Sequence, residues 1–149
     1  MPESANESLI NAVDSVLETM FFAVPDGPAD PAALNLEDAV GARLRFTGYT
    51  TGQLSVAVSG PAARFLAADF LGMDPESVTD VRVGEVVCEL ANMICGSVVS
   101  QLEGEGLIRL TPASPIVAPA PHVGKCDEYA VELSGGVLVA TFQRDGTNG

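Results

Sequence analysis

The stretch from Asp80 to Leu102 constrains this chain more than any other, because it is rich in apolar residues and too long for one strand. Strands usually hold about 5–6 residues. Here the apolar positions recur every three or four residues, which is the period of a helix. The valines lower helix propensity through their stiff side chains. Length and period still predict one long central helix over about Gly84 to Leu102. At about 100° per residue, Glu85, Glu89, Asn92, Gly96 and Ser100 fall within an arc of roughly 80°. Val86, Val87, Leu90, Ala91, Ile94, Cys95, Val98 and Leu102 fill most of the remaining circumference. Such a helix is buried on more than one side and exposes a narrow polar seam.

Local rules are broken along that seam. Glu85 and Glu89 are like charges at i,i+4, unfavourable by a few tenths of a kcal/mol. Asn92 and Gly96 in a helix interior cost about 0.5 and 1 kcal/mol relative to alanine. Sites where local preference fails are where function is expected. Singly, each residue has a plain structural reading: a solvated acid, an exposed amide, a glycine admitting a packed neighbour. Their coincidence on one otherwise apolar helix singles out the seam as the candidate site.

The flanking sequence predicts the rest of the fold. Leu9, Val13, Val16, Leu17 and Met20 mark an amphipathic helix from Ser4 to Phe22, and Asp26 to Pro31 reads as a connector. Leu44 and Phe46, then Leu54, Val56 and Val58, alternate around Thr51-Gly52 as a hairpin. Pro61 opens a helix that Gly72 closes. Leu107 to Leu110 begins a strand, after which Pro112, Pro115, Pro119 and Pro121 allow only an edge strand or extended loop. Tyr129 to Leu133 and Val137 to Phe142 flank Ser134-Gly135-Gly136, a second hairpin. The order helix, two strands, two helices, three strands predicts an α+β fold with a mostly antiparallel sheet. One domain over 1–149 is expected, with residues 1–7 and 145–149 as frayed tails.

Composition excludes several function classes. A net charge of −13, from 20 acidic and 7 basic residues, repels nucleic acid and anionic membrane. No apolar run is read as approaching the roughly 20 residues a bilayer span requires. The first eight residues have no basic n-region, so no signal peptide is read there. Cys88, Cys95 and Cys126 cannot all pair within one chain and lack zinc-site spacing, which predicts a reducing cytoplasm. Cys88 and Cys95, at i and i+7, read as core thiols. His122 and Cys126 make only a pair, short of the three or four ligands of a tetrahedral site, so no metal is expected. Ser97 and Ser100 have no nearby histidine to activate them.

Glu89-Leu90-Ala91-Asn92, followed after Met93-Ile94-Cys95 by Gly96, resembles the ExxN signature of the CheX/CheC chemotaxis phosphatases. Pro115, within Ser114-Pro115-Ile116-Val117, matches the downstream proline of that pattern. The family pattern opens with Ser or Asp four residues before the glutamate, whereas this chain has Glu85. The likeness extends to the leading helix ending Leu17-Glu18-Thr19-Met20, the hairpin and the tail, and covers most of the chain. CheC-type members carry two such motifs. The first helix here has Glu18 with Phe21 three residues later and no Asn, so the single-motif, CheX-like type is the better match.

The resemblance implies a CheC-like fold and a protein phosphatase acting on the aspartyl phosphate of a CheY-like response-regulator receiver domain in two-component signalling. It implies Glu89 and Asn92 as catalytic residues and Glu85, Gly96 and Pro115 as partner-binding. No cofactor of its own is implied, since Mg2+ comes with the receiver. The amide of Asn92 suits such work, because its oxygen can accept from an attacking water while its NH2 donates to a neighbouring oxygen. Glu89 would pair with the lysine that receivers keep beside the phosphorylation site, and Gly96 would admit the receiver close to the helix backbone. An exposed edge strand near the proline segment and an apolar-rich composition predict a homodimer. The acidic surface offers a receiver's acidic pocket no long-range attraction unless Arg82 or Arg109 offsets it. Two other roles fit the same residues: a non-catalytic receiver-binding or flagellar-switch-like adaptor, and a structural homodimer with a solvated seam.

Overall fold

The computed structural model describes residues 5–48, 50–103, 109–116 and 126–145. The helices are α1 (Ala5–Met20), α2 (Gly60–Leu71) and α3 (Asp80–Glu103). The strands are β1 (Gly27–Pro28), β2 (Val40–Thr47), β3 (Thr51–Val58), β4 (Arg109–Leu110), β5 (Ser114–Ile116), β6 (Asp127–Leu133) and β7 (Gly136–Arg144). They form one sheet in the order β1-β6-β7-β3-β2-β4, with β5 also on β2. Every pairing is antiparallel, so the fold is α+β as the element order predicts.

Strand alternation sends every second side chain to one face. Leu54, Val56 and Val58 of β3 and Leu138, Ala140 and Phe142 of β7 thereby enter one core with Leu9, Val13 and Leu17 of α1 and Leu90, Ile94 and Val98 of α3. Each fully buried Val, Leu, Ile or Phe contributes about 1.5–3 kcal/mol. Four of the eight aromatics pair: Phe46 stacks on Phe142 at 5.2 Å and Phe21 on Phe70 at 4.8 Å. Pro61 sits in the first turn of α2, and Gly72 ends that helix in the left-handed conformation with its N–H on Ala68 O.

α3 starts at Asp80, earlier than Gly84, because Thr79 caps it. The Thr79 Oγ1 accepts the Arg82 N–H at 3.2 Å and the Thr79 carbonyl accepts the Val83 N–H at 3.0 Å. By length and composition Asp80–Leu102 could cross a bilayer, which the sequence reading did not anticipate. Half of its most apolar stretch is buried inside the fold, as a core helix requires.

Three further departures from the sequence reading have physical reasons. Gly52 is not a turn residue. It lies inside β3 opposite Phe46 and Arg144, where a Cβ would stand 2.7 Å from the Phe46 ring and 2.9 Å from Arg144 Cα. Gly27-Pro28 is not a free connector, since both residues pair with β6 at the sheet edge. The tails are ordered further out than expected: Ala5 is helical and buried, and Asp145 bonds Thr51 O through its N–H and Arg45 through its carboxylate. Residues 1–4 and 146–149, Leu107, Pro119, Pro121 and His122 lie outside the described residues.

Candidate functional site

The seam forms as the periodicity predicts. Glu85, Glu89 and Ser100 are exposed, Asn92 and Gly96 are half-buried, and Val86, Val87, Leu90, Ala91, Ile94, Cys95 and Val98 are buried. What the sequence alone does not show is the opposite wall. β5 pairs with β2 through Gly41–Ile116, Ala42–Pro115 and Arg43–Ser114. Just before it, Thr111 is pinned to β2 by its N–H on Arg45 O at 2.9 Å and its Oγ1 accepting the Arg45 N–H at 3.0 Å. These bonds hold Pro112 to Pro115 alongside α3. The result is an open cleft of about 620 Å³, in which Gly84, Glu85, Cys88, Glu89 and Asn92 of α3 face Pro112, Ala113 and Pro115.

Four of the five sequence-predicted residues, Glu85, Glu89, Asn92 and Pro115, line this cleft. Gly96 does not. It is half-buried beside β4, where a Cβ would make ordinary van der Waals contact with Leu110 Cδ1 at 3.7 Å. Asp80, Val81, Gly84, Cys88, Pro112 and Ala113 line the cleft without having been singled out as site residues. Val81, Gly84 and Cys88 flank the seam at helical spacing, and that spacing was the available signal.

The charges of the cleft are unequally committed. Asp80 pairs with Arg64, and Glu85 pairs with Arg82 at 3.2 Å. Glu89 makes no ion pair or hydrogen bond among the described residues, nor does the amide of Asn92. A carboxylate and an amide one turn apart therefore face the opening with their bonding capacity unused. Burial, then the charges of Glu85 and Glu89, push the Cys88 thiol above its ordinary value. That keeps it protonated and unsuited to nucleophilic attack at neutral pH. Cys95, a core thiol as expected, is pushed up to about 12 by burial, whereas Cys88 is half-buried, packed against the core on one side and lining the cleft on the other. Among the described residues no three His, Cys, Asp or Glu side chains gather as a metal site.

A family model described as Chemotaxis phosphatase CheX matches residues 40–135, a span that contains the sheet centre, α3 and the whole cleft. The chain belongs to the CheX family. No curated protein sequence matches it. Among solved structures it resembles the chemotaxis protein CheX of Vibrio vulnificus, with a TM-score of 0.76 and 17% identity over 96% of this chain and 97% of that one. It is similar to a CheX–CheY–BeF3–Mg complex from Borrelia burgdorferi, with a TM-score of 0.75 and 18% identity over 96% and 99% of the two chains. The middle domain of FliM from Vibrio alginolyticus is more distant, at a TM-score of 0.60 and 13% identity over 94% and 90%. At such identities these likenesses establish a shared fold.

Proposed function

We propose that this CheX-family protein is a cytoplasmic phosphatase that hydrolyses the aspartyl phosphate of a CheY-like receiver domain, with Asn92 and Glu89 as its working residues. The reading is carried by the uncommitted pair of side chains, Glu89 and Asn92, on the open wall of the α3 cleft. The complex of a CheX with CheY, a structure of the same fold, supports a receiver as the partner.

The receiver supplies the phosphoryl group and its Mg2+. The role left to this chain is to position water in line and hold the two proteins in register. The Asn92 amide oxygen accepts from the attacking water while its NH2 donates to a neighbouring oxygen. Glu89, the cleft carboxylate without an ion pair among the described residues, takes a receiver lysine. Pro115 stands on the facing wall as a contact surface, and Arg82 partly offsets the negative charge of Glu85. Labelled phosphate released from charged receivers, with and without the protein, tests the proposal. Faster release supports it, and release at the spontaneous rate overturns it.

One observation favours a second reading, that of a docking adaptor. At the position where the family pattern has Ser or Asp, Glu85 is held in an ion pair with Arg82, and the same fold occurs in the FliM middle domain. Receiver binding without phosphate release would select this reading. A homodimer formed through the edge strands beside the proline segment completes the proposal, and light scattering at tens of micromolar showing a monomer would remove it.

A further inference from the structure

Gly84 is the residue of the cleft that the fold itself does not explain. It lies inside α3, one turn after the Thr79 cap, where glycine is less favourable than alanine. Several glycines elsewhere answer to internal constraints: Gly52 sits where a side chain would strike Phe46, and Gly72 and Gly135 adopt positive φ. Around Gly84, by contrast, apart from its two chain neighbours and the backbone of its own helix, no described residue comes within 4 Å of where a Cβ would stand. The backbone is bare, and no side chain among the described residues stands close enough to require it.

The surroundings define what would use that bareness. Val81, three residues earlier, is a branched apolar side chain left 73% exposed at the same cleft. Cys88, four residues later, presents a thiol that burial and the neighbouring carboxylates keep neutral. Pro112 and Ala113 form the facing wall. This is an apolar notch with Gly84 as its floor, adjoining the Glu89 carboxylate, which has no ion pair among the described residues.

We infer that Gly84 is a specificity-determining residue, the floor of a notch walled by Val81, Cys88 and Pro112 that seats an apolar side chain of the receiver next to the cation taken by Glu89. The inference rests on the receiver-docking reading above and adds to it the partner's chemistry: an apolar side chain beside a positive charge. Gly84 is a positioning residue. A methyl group at 84 projects into the open cleft and holds the partner away from the helix backbone, while Glu89 and Asn92 keep their places on the helix.

The test is Gly84→Ala, with Val81→Ser as its companion, measured against a CheY-type receiver charged with labelled acetyl phosphate. Gly84→Ala should raise the melting temperature by about 2–4 °C through helix propensity. It should also weaken receiver binding roughly tenfold through overpacking of the docked interface. Once the receiver is saturating, the release rate should stay within about twofold, because only ground-state docking has changed. Val81→Ser should weaken binding without lowering stability, since the side chain is mostly in solvent. If Gly84→Ala binds as wild type while Glu89→Ala does not, the notch is refuted and the docking reading stands. If Gly84→Ala lowers the melting temperature, the glycine serves internal packing and the inference falls. If wild type neither binds nor dephosphorylates any receiver, both fall together.

Discussion

Glu89→Ala should make the protein slightly more stable and much worse at its task. Glu89 is exposed and makes no hydrogen bond or ion pair among the described residues, so its removal leaves no partner stranded. Alanine is the better helix former, and the i,i+4 repulsion with Glu85 disappears, although Arg82 already offsets part of it. Together these effects stabilise the fold by about 0.5 kcal/mol. In a chain of this size that is a rise of about 1–2 °C in melting temperature. Docking changes in the opposite direction. Losing a partly desolvated charge pair with a receiver lysine weakens binding by about 1–3 kcal/mol, or roughly 5- to 150-fold. Thermal melts followed by circular dichroism read the first effect, and titration of a fluorescently labelled receiver reads the second. A variant destabilised by more than about 1 kcal/mol would show that Glu89 has a structural partner. A variant binding like wild type would show that its charge is not what the receiver meets.

Two predictions concern the scaffold. Gly52→Ala should lose about 3 kcal/mol in urea unfolding while leaving receiver binding intact, because a Cβ would collide with Phe46 and with the backbone of β7 far from the cleft; a loss under about 1 kcal/mol would contradict the tight β3–β7 approach. The Cys95 thiol ionises near 9 when unfolded but only near 12 when buried. Between those values the unfolded chain binds fewer protons, so stability falls as pH rises. Urea midpoints at pH 8.5 and 10 should show that fall in wild type and a smaller one in Cys95→Ala; an unchanged slope would refute the assignment.

The seam was legible in the sequence because polar residues interrupt an apolar helix at a single azimuth, and one-dimensional periodicity suffices to find them. Both hairpins were legible for the similar reason that alternation is local. The cleft as a cleft was not. Its second wall depends on β5 pairing with β2 across some 70 residues of chain, through contacts such as Ala42–Pro115 that no local pattern encodes. Gly52 was misread because a glycine beside threonine resembles a turn, while its actual reason is a neighbouring strand. That Gly96 lies beside Leu110 of β4 and not along the cleft is equally non-local. Gly84 passed unnoticed because a lone glycine in a helix carries no sign of whether its surroundings are filled or empty.

The central claim, that this CheX-family chain hydrolyses a receiver's aspartyl phosphate with Asn92 positioning water, is tested most directly by the release rate of labelled phosphate in the presence of wild type and of Asn92→Ala. Circular dichroism and receiver titration run alongside establish folding and binding. Wild type should accelerate release, and Asn92→Ala should remain folded, still bind the receiver and lose about 100-fold or more of the acceleration, because the lost interaction exists mainly in the transition state. A folded Asn92→Ala protein that releases phosphate as fast as wild type would contradict the account.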